Sequence, residues 1–140
     1  MDTSAQPQDR RGLIVLPPEE CDRLLGLAPV GRVAFMSNGE PLIVPVNHAF
    51  VDGMIVFKTT VGEKLAAAER QAPMSFEVDG WDTTERTGWS VIVRGTAERI
   101  YNTDVEARLE ALGLVSWAKP GSAGRWVRIR PTEITGRALR

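Results

Sequence analysis

The sequence has one cysteine, Cys21, and one histidine, His48. A single cysteine closes no intrachain disulfide, and one Cys with one His falls short of a Cys/His zinc site. A reducing, cytoplasmic compartment fits that usage. An excess of charge of one sign is also missing. Seventeen basic residues stand against 18 acidic ones, for a formal net charge of −1. No global field therefore draws the chain to nucleic acid or to an anionic membrane. No apolar run approaches the ~20 residues of a membrane span. The opening MDTSAQPQDRRG is polar and has no apolar stretch of the secretory kind. Residues 1–12 therefore read as a disordered tail, ahead of a single domain over residues 13–140. Neither GxGxxG nor a P-loop pattern occurs, which removes the Rossmann and P-loop readings. Repeats and low-complexity segments are absent too.

What is present is an ordinary soluble composition, 43% hydrophobic and 25% charged over 140 residues, enough for one domain with a buried core. Pro17-Pro18-Glu19-Glu20 predicts a helix start, because proline suits the first turn and early acids suit the dipole; Gly26 and Pro29 close it. Strands are expected over 31–37, 42–51 and 54–59. They are joined by Asn38-Gly39 and Asp52-Gly53, strong two-residue hairpin signals. The start of the second strand is continuously apolar and reads as buried on both faces. A helix over 62–71 follows, with Thr60 and Glu63 in a capping-box spacing. A strand over 74–79, a loop over 80–88 and a long strand over 89–101 come next, with Gly95 marking a bulge. A helix over 104–112 capped by Thr103, a loop over 115–124 and a strand over 126–130 ended by Pro131 complete the chain. Tight hairpins with few, short helices predict an antiparallel sheet closed into a small barrel.

The segment carrying the most chemistry is Pro41 to Gln71. A strand ending in Lys58-Thr59-Thr60 feeds a helix start bearing Gly62 and Lys64. Ammonium and hydroxyl donors converge there on unpaired backbone N–H groups, as a phosphate socket requires. The bland alternatives are a solvated Lys64, a Lys58 that guards a strand edge, and a Thr60 that only caps the helix.

VPVNHAFVDGMIVFKTTVGEKLAAA, then MSFEVDG, then TGWSVIVRGTAE, resembles in this order the pyridoxamine 5′-phosphate oxidase-like family of flavin-binding split β-barrels, from about Leu16 to Arg137. The resemblance implies an antiparallel split barrel with a few short peripheral helices. It also implies a homodimer holding FMN between two subunits, and oxidoreductase chemistry on an unassigned substrate. By the same resemblance Lys58, Thr59 and Lys64 meet the flavin phosphate. The ring rests on the strand bearing Val44, Pro45, Val46 and Asn47, where backbone groups of Val44 and Val46 read its pyrimidine edge and the Asn47 amide suits a ring nitrogen or carbonyl. The alternative for Asn47 is a barrel-mouth hydrogen bond. Trp89 and Ser90 approach the ring from the second subunit, or else Trp89 packs the dimer interface. Trp81, Trp117 and Trp126 are expected in core or interface. Relatives of this short type also use a deazaflavin coenzyme, and a few handle haem, so a deazaflavin-dependent reductase and a non-turning flavin or haem carrier stand as alternatives. The pyridoxamine phosphate oxidases themselves end in an extension that this sequence does not show, so turnover of that substrate is not expected. No side chain is assigned as acid or base. His48 reads as a structural hydrogen-bonder, Cys21 as core, and Arg94 with Glu98 as paired charges.

Overall fold

Two tight turns organise the sheet. Asn38 and Gly39 have φ of 51° and 78°, and Asp52 and Gly53 have 52° and 75°, the positive values a type I′ hairpin demands. The computed structural model describes residues 6–118 and 124–140. Along these residues the order is β1 (Ile14–Leu16), α1 (Pro18–Leu27), β2 (Val30–Ser37), β3 (Glu40–Val51), β4 (Met54–Thr59), α2 (Glu63–Glu69), β5 (Pro73–Asp82), β6 (Thr87–Arg99), α3 (Thr103–Glu110) and β7 (Arg125–Leu139). The strands lie in the order β1-β7-β4-β3-β2-β5-β6, and a further β6–β7 pairing closes the ring. Every pairing is antiparallel. This is the expected split β-barrel.

Alternation along the strands fills the interior. Val33 and Phe35, Ile55 and Phe57, Met74, Phe76 and Val78, Val91 and Val93, and Val127 and Ile129 all point inward and are buried. α1 and α2 add Cys21, Leu24, Leu25, Leu65, Ala67 and Ala68 to the same core. α3 packs Leu109 with Val56, Ile100 and Trp126 in a second cluster. Burial lifts the Cys21 thiol above its ordinary pKa. Trp126 is core, as expected.

Several expectations are corrected. β7 does not stop at Pro131. Opposite Gly95 the β6–β7 register shifts, with Arg94 facing Glu133 and Gly95 facing Pro131, so Thr132 is the extra residue of a bulge. A bulge tolerates a residue with no N–H. The space at Gly95 is closed to larger residues, since a Cβ there would lie 2.2 Å from the Arg130 carbonyl oxygen. The capping box does not form: the N-cap of α2 is Gly62, without a side-chain cap, and Glu63 accepts from the Ser37 hydroxyl at 2.7 Å instead. Asn102, not Thr103, caps α3, accepting from the N–H groups of Asp104 and Val105. The start of β3 is not buried on both faces; Ile43 is 68% exposed. The segment expected as a tail is turned from Pro7 onward. Asp9 accepts from the N–H groups of Arg11 and Leu13 and lies 3.2 Å from Arg137. The short strand β1 carries too few residues for an alternation to be legible.

Glu98 is paired across the sheet, as expected, with Arg130 at 2.8 Å and Arg128 at 3.6 Å, because those arginines lie on the neighbouring strand β7. On the outer face one guanidinium meets two carboxylates: Arg32 is 3.3 Å from Glu77 and 3.5 Å from Asp79. Burial and the neighbouring Asp79 push the Glu77 carboxyl up from 4.5 to about 7. Folding therefore takes up a proton there. The associated stability is fully present below about pH 4.5 and is lost as pH rises through about 7. We expect Glu77→Gln to keep, at pH 8, about 1 kcal/mol that the wild type loses, or a few degrees of Tm. Thermal unfolding at pH 5 and pH 8 checks this; identical pH profiles would refute it.

Candidate functional site

The barrel is open along one seam. β3 pairs with β4 only from Val51↔Met54 to His48↔Phe57. Beyond that rung β4 follows β7, through Lys58↔Trp126 and Thr59↔Arg125, while β3 stays with β2. Asn47, Val46 and Pro45 on one side thus face Lys58, Thr59 and Thr60 on the other across an unpaired gap.

The two hairpins fix which backbone groups look into it. Rungs next to two-residue turns are hydrogen-bonded, and bonding alternates from there. Counting from Ser37↔Glu40 gives Val44 and Val46 to β2, and counting from Val51↔Met54 agrees. The groups facing the seam belong to Ile43, Pro45 and Asn47. Pro45 brings only its carbonyl, which costs the β2–β3 ladder nothing. The expected backbone role of Val44 and Val46 is therefore corrected: their N–H and C=O groups serve the sheet, and those of Asn47 with the Pro45 carbonyl are the free ones.

Two cavities open at the seam. A narrow one of about 40 Å³ is lined by Pro45, Val46, Lys58, Thr59, Thr60, Lys64, Ser116, Trp117 and Ala118. It has room for about three water-sized groups, which suits a phosphate and not a ring system. A wider one of about 490 Å³ is lined by Asn47, Val115, Ser116, Trp117 and Ala118, within the range of small-molecule clefts. Lys64 is half-buried, and among the described residues it has no ion-pair partner. Burial pushes its ammonium below the usual lysine pKa, against a smaller opposing pull from Glu63. Thr59 is 5% exposed, and its hydroxyl makes only a long 3.4 Å contact with the Thr60 carbonyl. A cation and a hydroxyl are thus held at a narrow cavity without an anion, a donor set that fits a phosphate group.

Lys58 stands differently. Its stem lines the same cavity, but its ammonium lies 2.8 Å from Glu110, whose carboxylate also accepts from the Trp126 indole N–H at 2.8 Å. These two donors hold the Glu110 carboxyl below its ordinary range. α3 therefore has the charge that the sequence reading gave to a phosphate. His48 lies beneath the seam at 5% exposure, hydrogen-bonded through Nε2 to the Leu25 carbonyl at 2.9 Å. Burial lowers its pKa, and it is structural, as expected.

Trp89 and Ser90 are not at the seam. They line a separate cavity of about 380 Å³ with Leu13, Asp79, Gly80, Trp81, Arg137 and others. The Trp89 indole rests on Gly80, where a Cβ would come within 2.5 Å of Nε1. Trp117, expected in core or interface, is not in the core; it is exposed and forms a wall of both seam cavities. Its place depends on how the chain returns from α3 to β7, which leaves no periodic signal. Residues 119–123 of the expected 115–124 loop lie outside those described.

The sequence matches the family described as pyridoxamine 5′-phosphate oxidase over residues 17–138, nearly all of the barrel. The chain belongs to that family. An uncharacterised Mycobacterium tuberculosis protein, Rv0080, is 35% identical over 137 residues, covering 94% of this chain and 89% of its own. The solved FAD binding protein of Mycobacterium smegmatis is 33% identical with a TM-score of 0.75, over 90% of this chain and 99% of its own. A FAD-binding protein of Mesorhizobium loti is 25% identical with a TM-score of 0.75, over 91% and 99%. Among the described residues no helix is long and apolar enough to cross a membrane.

For this family member the charge state of Lys64 can be measured directly. After reductive 13C-methylation we expect the Lys64 methyl resonance to titrate below the usual lysine range. A titration at the ordinary lysine value would show that the burial of Lys64 does not persist in solution.

Proposed function

We propose that the protein is a flavin-binding oxidoreductase that holds the FMN unit of its cofactor in the open seam, with the phosphate at Lys64 and Thr59 and the ring along β3 beside Asn47. The observation that carries this is the half-buried Lys64 ammonium, without a carboxylate partner among the described residues, beside a cavity of phosphate size. When bound, the flavin supplies the redox chemistry. This chain's part is to bind and orient it: Lys64 and Thr59 hold the anion, the Asn47 backbone and amide meet polar ring atoms, and Pro45 offers a carbonyl. FAD contains the same FMN unit, and the solved relatives from M. smegmatis and M. loti are described as binding FAD, so the seam is proposed for the unit the two cofactors share.

The same reading assigns the working form as a homodimer. Trp89 and Ser90 sit at another cavity of their own chain, so they reach a seam-bound flavin only from a second copy. The outer faces of the neighbouring strands β2 and β3 leave Met36 and Ile43 exposed, and Ile92 is exposed on β6 beyond the Arg32–Glu77 pair, apolar side chains such a contact would cover. Sedimentation at micromolar concentration with flavin bound is expected to give a dimer; a monomer would remove Trp89 and Ser90 from the site.

Lys64→Ala tests the placement. Loss of one charge-assisted contact costs roughly 1.5–3 kcal/mol, about one to two decades of FMN affinity. Riboflavin, without a phosphate, should bind both forms alike. Equal losses for FMN and riboflavin would place Lys64 at the ring or in the fold, and no loss for either would put the phosphate elsewhere.

A further inference from the structure

Trp117 is 62% exposed, yet it is shared by both seam cavities. It faces Lys64, Thr59 and Pro45 on one side and Asn47 on the other. Single exposed apolar residues are common on protein surfaces. This one differs in place: it is the only aromatic residue lining either cavity, and Val115 and Ala118 beside it extend its apolar surface across from β3.

We propose that Trp117 covers one face of the isoalloxazine ring when flavin occupies the seam. The assignment rests on the reading of the seam as the flavin site. The narrow cavity beside Lys64 takes the phosphate and has no space for a tricyclic ring. The ring must therefore lie along β3 toward Asn47, where its polar edge meets the free Asn47 backbone groups and the Pro45 carbonyl. One face of the ring then looks at segment 115–118, and the flat indole is the one large apolar surface there. Offset stacking of two aromatic systems stabilises beyond the area they bury. The electron-rich indole against the electron-poor flavin also quenches flavin emission by electron transfer. Trp89 of a second copy is left the opposite face, so the two tryptophans have separate duties.

The test is titration of the full-length wild type, Trp117→Ala and Trp117→Phe with riboflavin, FMN and FAD, followed by affinity and by flavin fluorescence. Trp117→Ala should weaken all three by a similar factor, about tenfold, and raise the emission of the bound flavin. Trp117→Phe should keep most of the affinity and part of the rise. Thermal stability should not move, because the side chain is exposed. A loss confined to FMN and FAD would put the indole at the phosphate, and a loss confined to FAD would put it at the adenine; either overturns the assignment. So would Trp117→Ala that binds and quenches like the wild type. If in that case Lys64→Ala still separates FMN from riboflavin, the seam remains the flavin site and only the role of Trp117 falls. A wild type that binds none of the three ligands removes both.

Discussion

The choice that β4 makes at Phe57 is the constraint on which the rest of this structure depends. Up to that rung β4 lies between β3 and β7, paired with both from Ile55 to Phe57; beyond it β4 keeps β7 and loses β3. A closed ring of strands has no free edge, and a ring in which one pairing ends part-way along its strands has one. The gap falls where β3 carries Pro45, a residue that could not have completed a ladder on that side. Closure and opening are thus the same event. The long strand β7, paired with β1, β4 and β6, keeps β4 beyond Phe57, where the pairing with β3 has ended, and polar backbone groups on β3 are left without a strand partner among the described residues.

Electrostatics follow from that geometry. Two lysines flank the gap and have opposite fates. α3 packs across the outer surface near β4 and brings Glu110 to Lys58, so that cation is neutralised and serves to hold Trp126 and the second cluster together. Among the described residues nothing comparable reaches Lys64, which leaves α2 toward the gap and loses hydration without gaining an anion. Such an arrangement is unfavourable in isolation and becomes favourable once an anion arrives. Glu77 is the mirror case on the outer face, where a surplus carboxylate rather than a surplus ammonium is left partly dehydrated.

Much of this was legible in the sequence because it is local. Asn-Gly and Asp-Gly adopt positive φ more readily than other pairs, and between two apolar strands they mark a tight turn, so both hairpins, and through them the parity of β3, follow from four residues. Alternation identified the strands, Gly95 marked the bulge, and Thr59 and Lys64 were picked out by their donors beside a helix start, whereas Asn47 was picked out by the family resemblance. Strand pairing between distant segments, by contrast, has no local signature. The continuation of β7 through Pro131 depends on the bulge opposite Gly95, and the capture of Lys58 depends on a helix fifty residues away. The role of Trp117 depends on the path of the chain between α3 and β7.

The sequence by itself determined the class of sheet, its turns, its inward-facing residues and the kinds of donor available for a phosphate, because these are set by backbone sterics and side-chain chemistry within a few residues. Only the tertiary structure decided which of those donors remain free. A charge is spare or spent according to what lies within about 4 Å of it. For Lys58, Val44 and Val46 that neighbour comes from another strand or helix, brought there by the closure of the barrel, and Lys64 receives no ion-pair partner among the described residues.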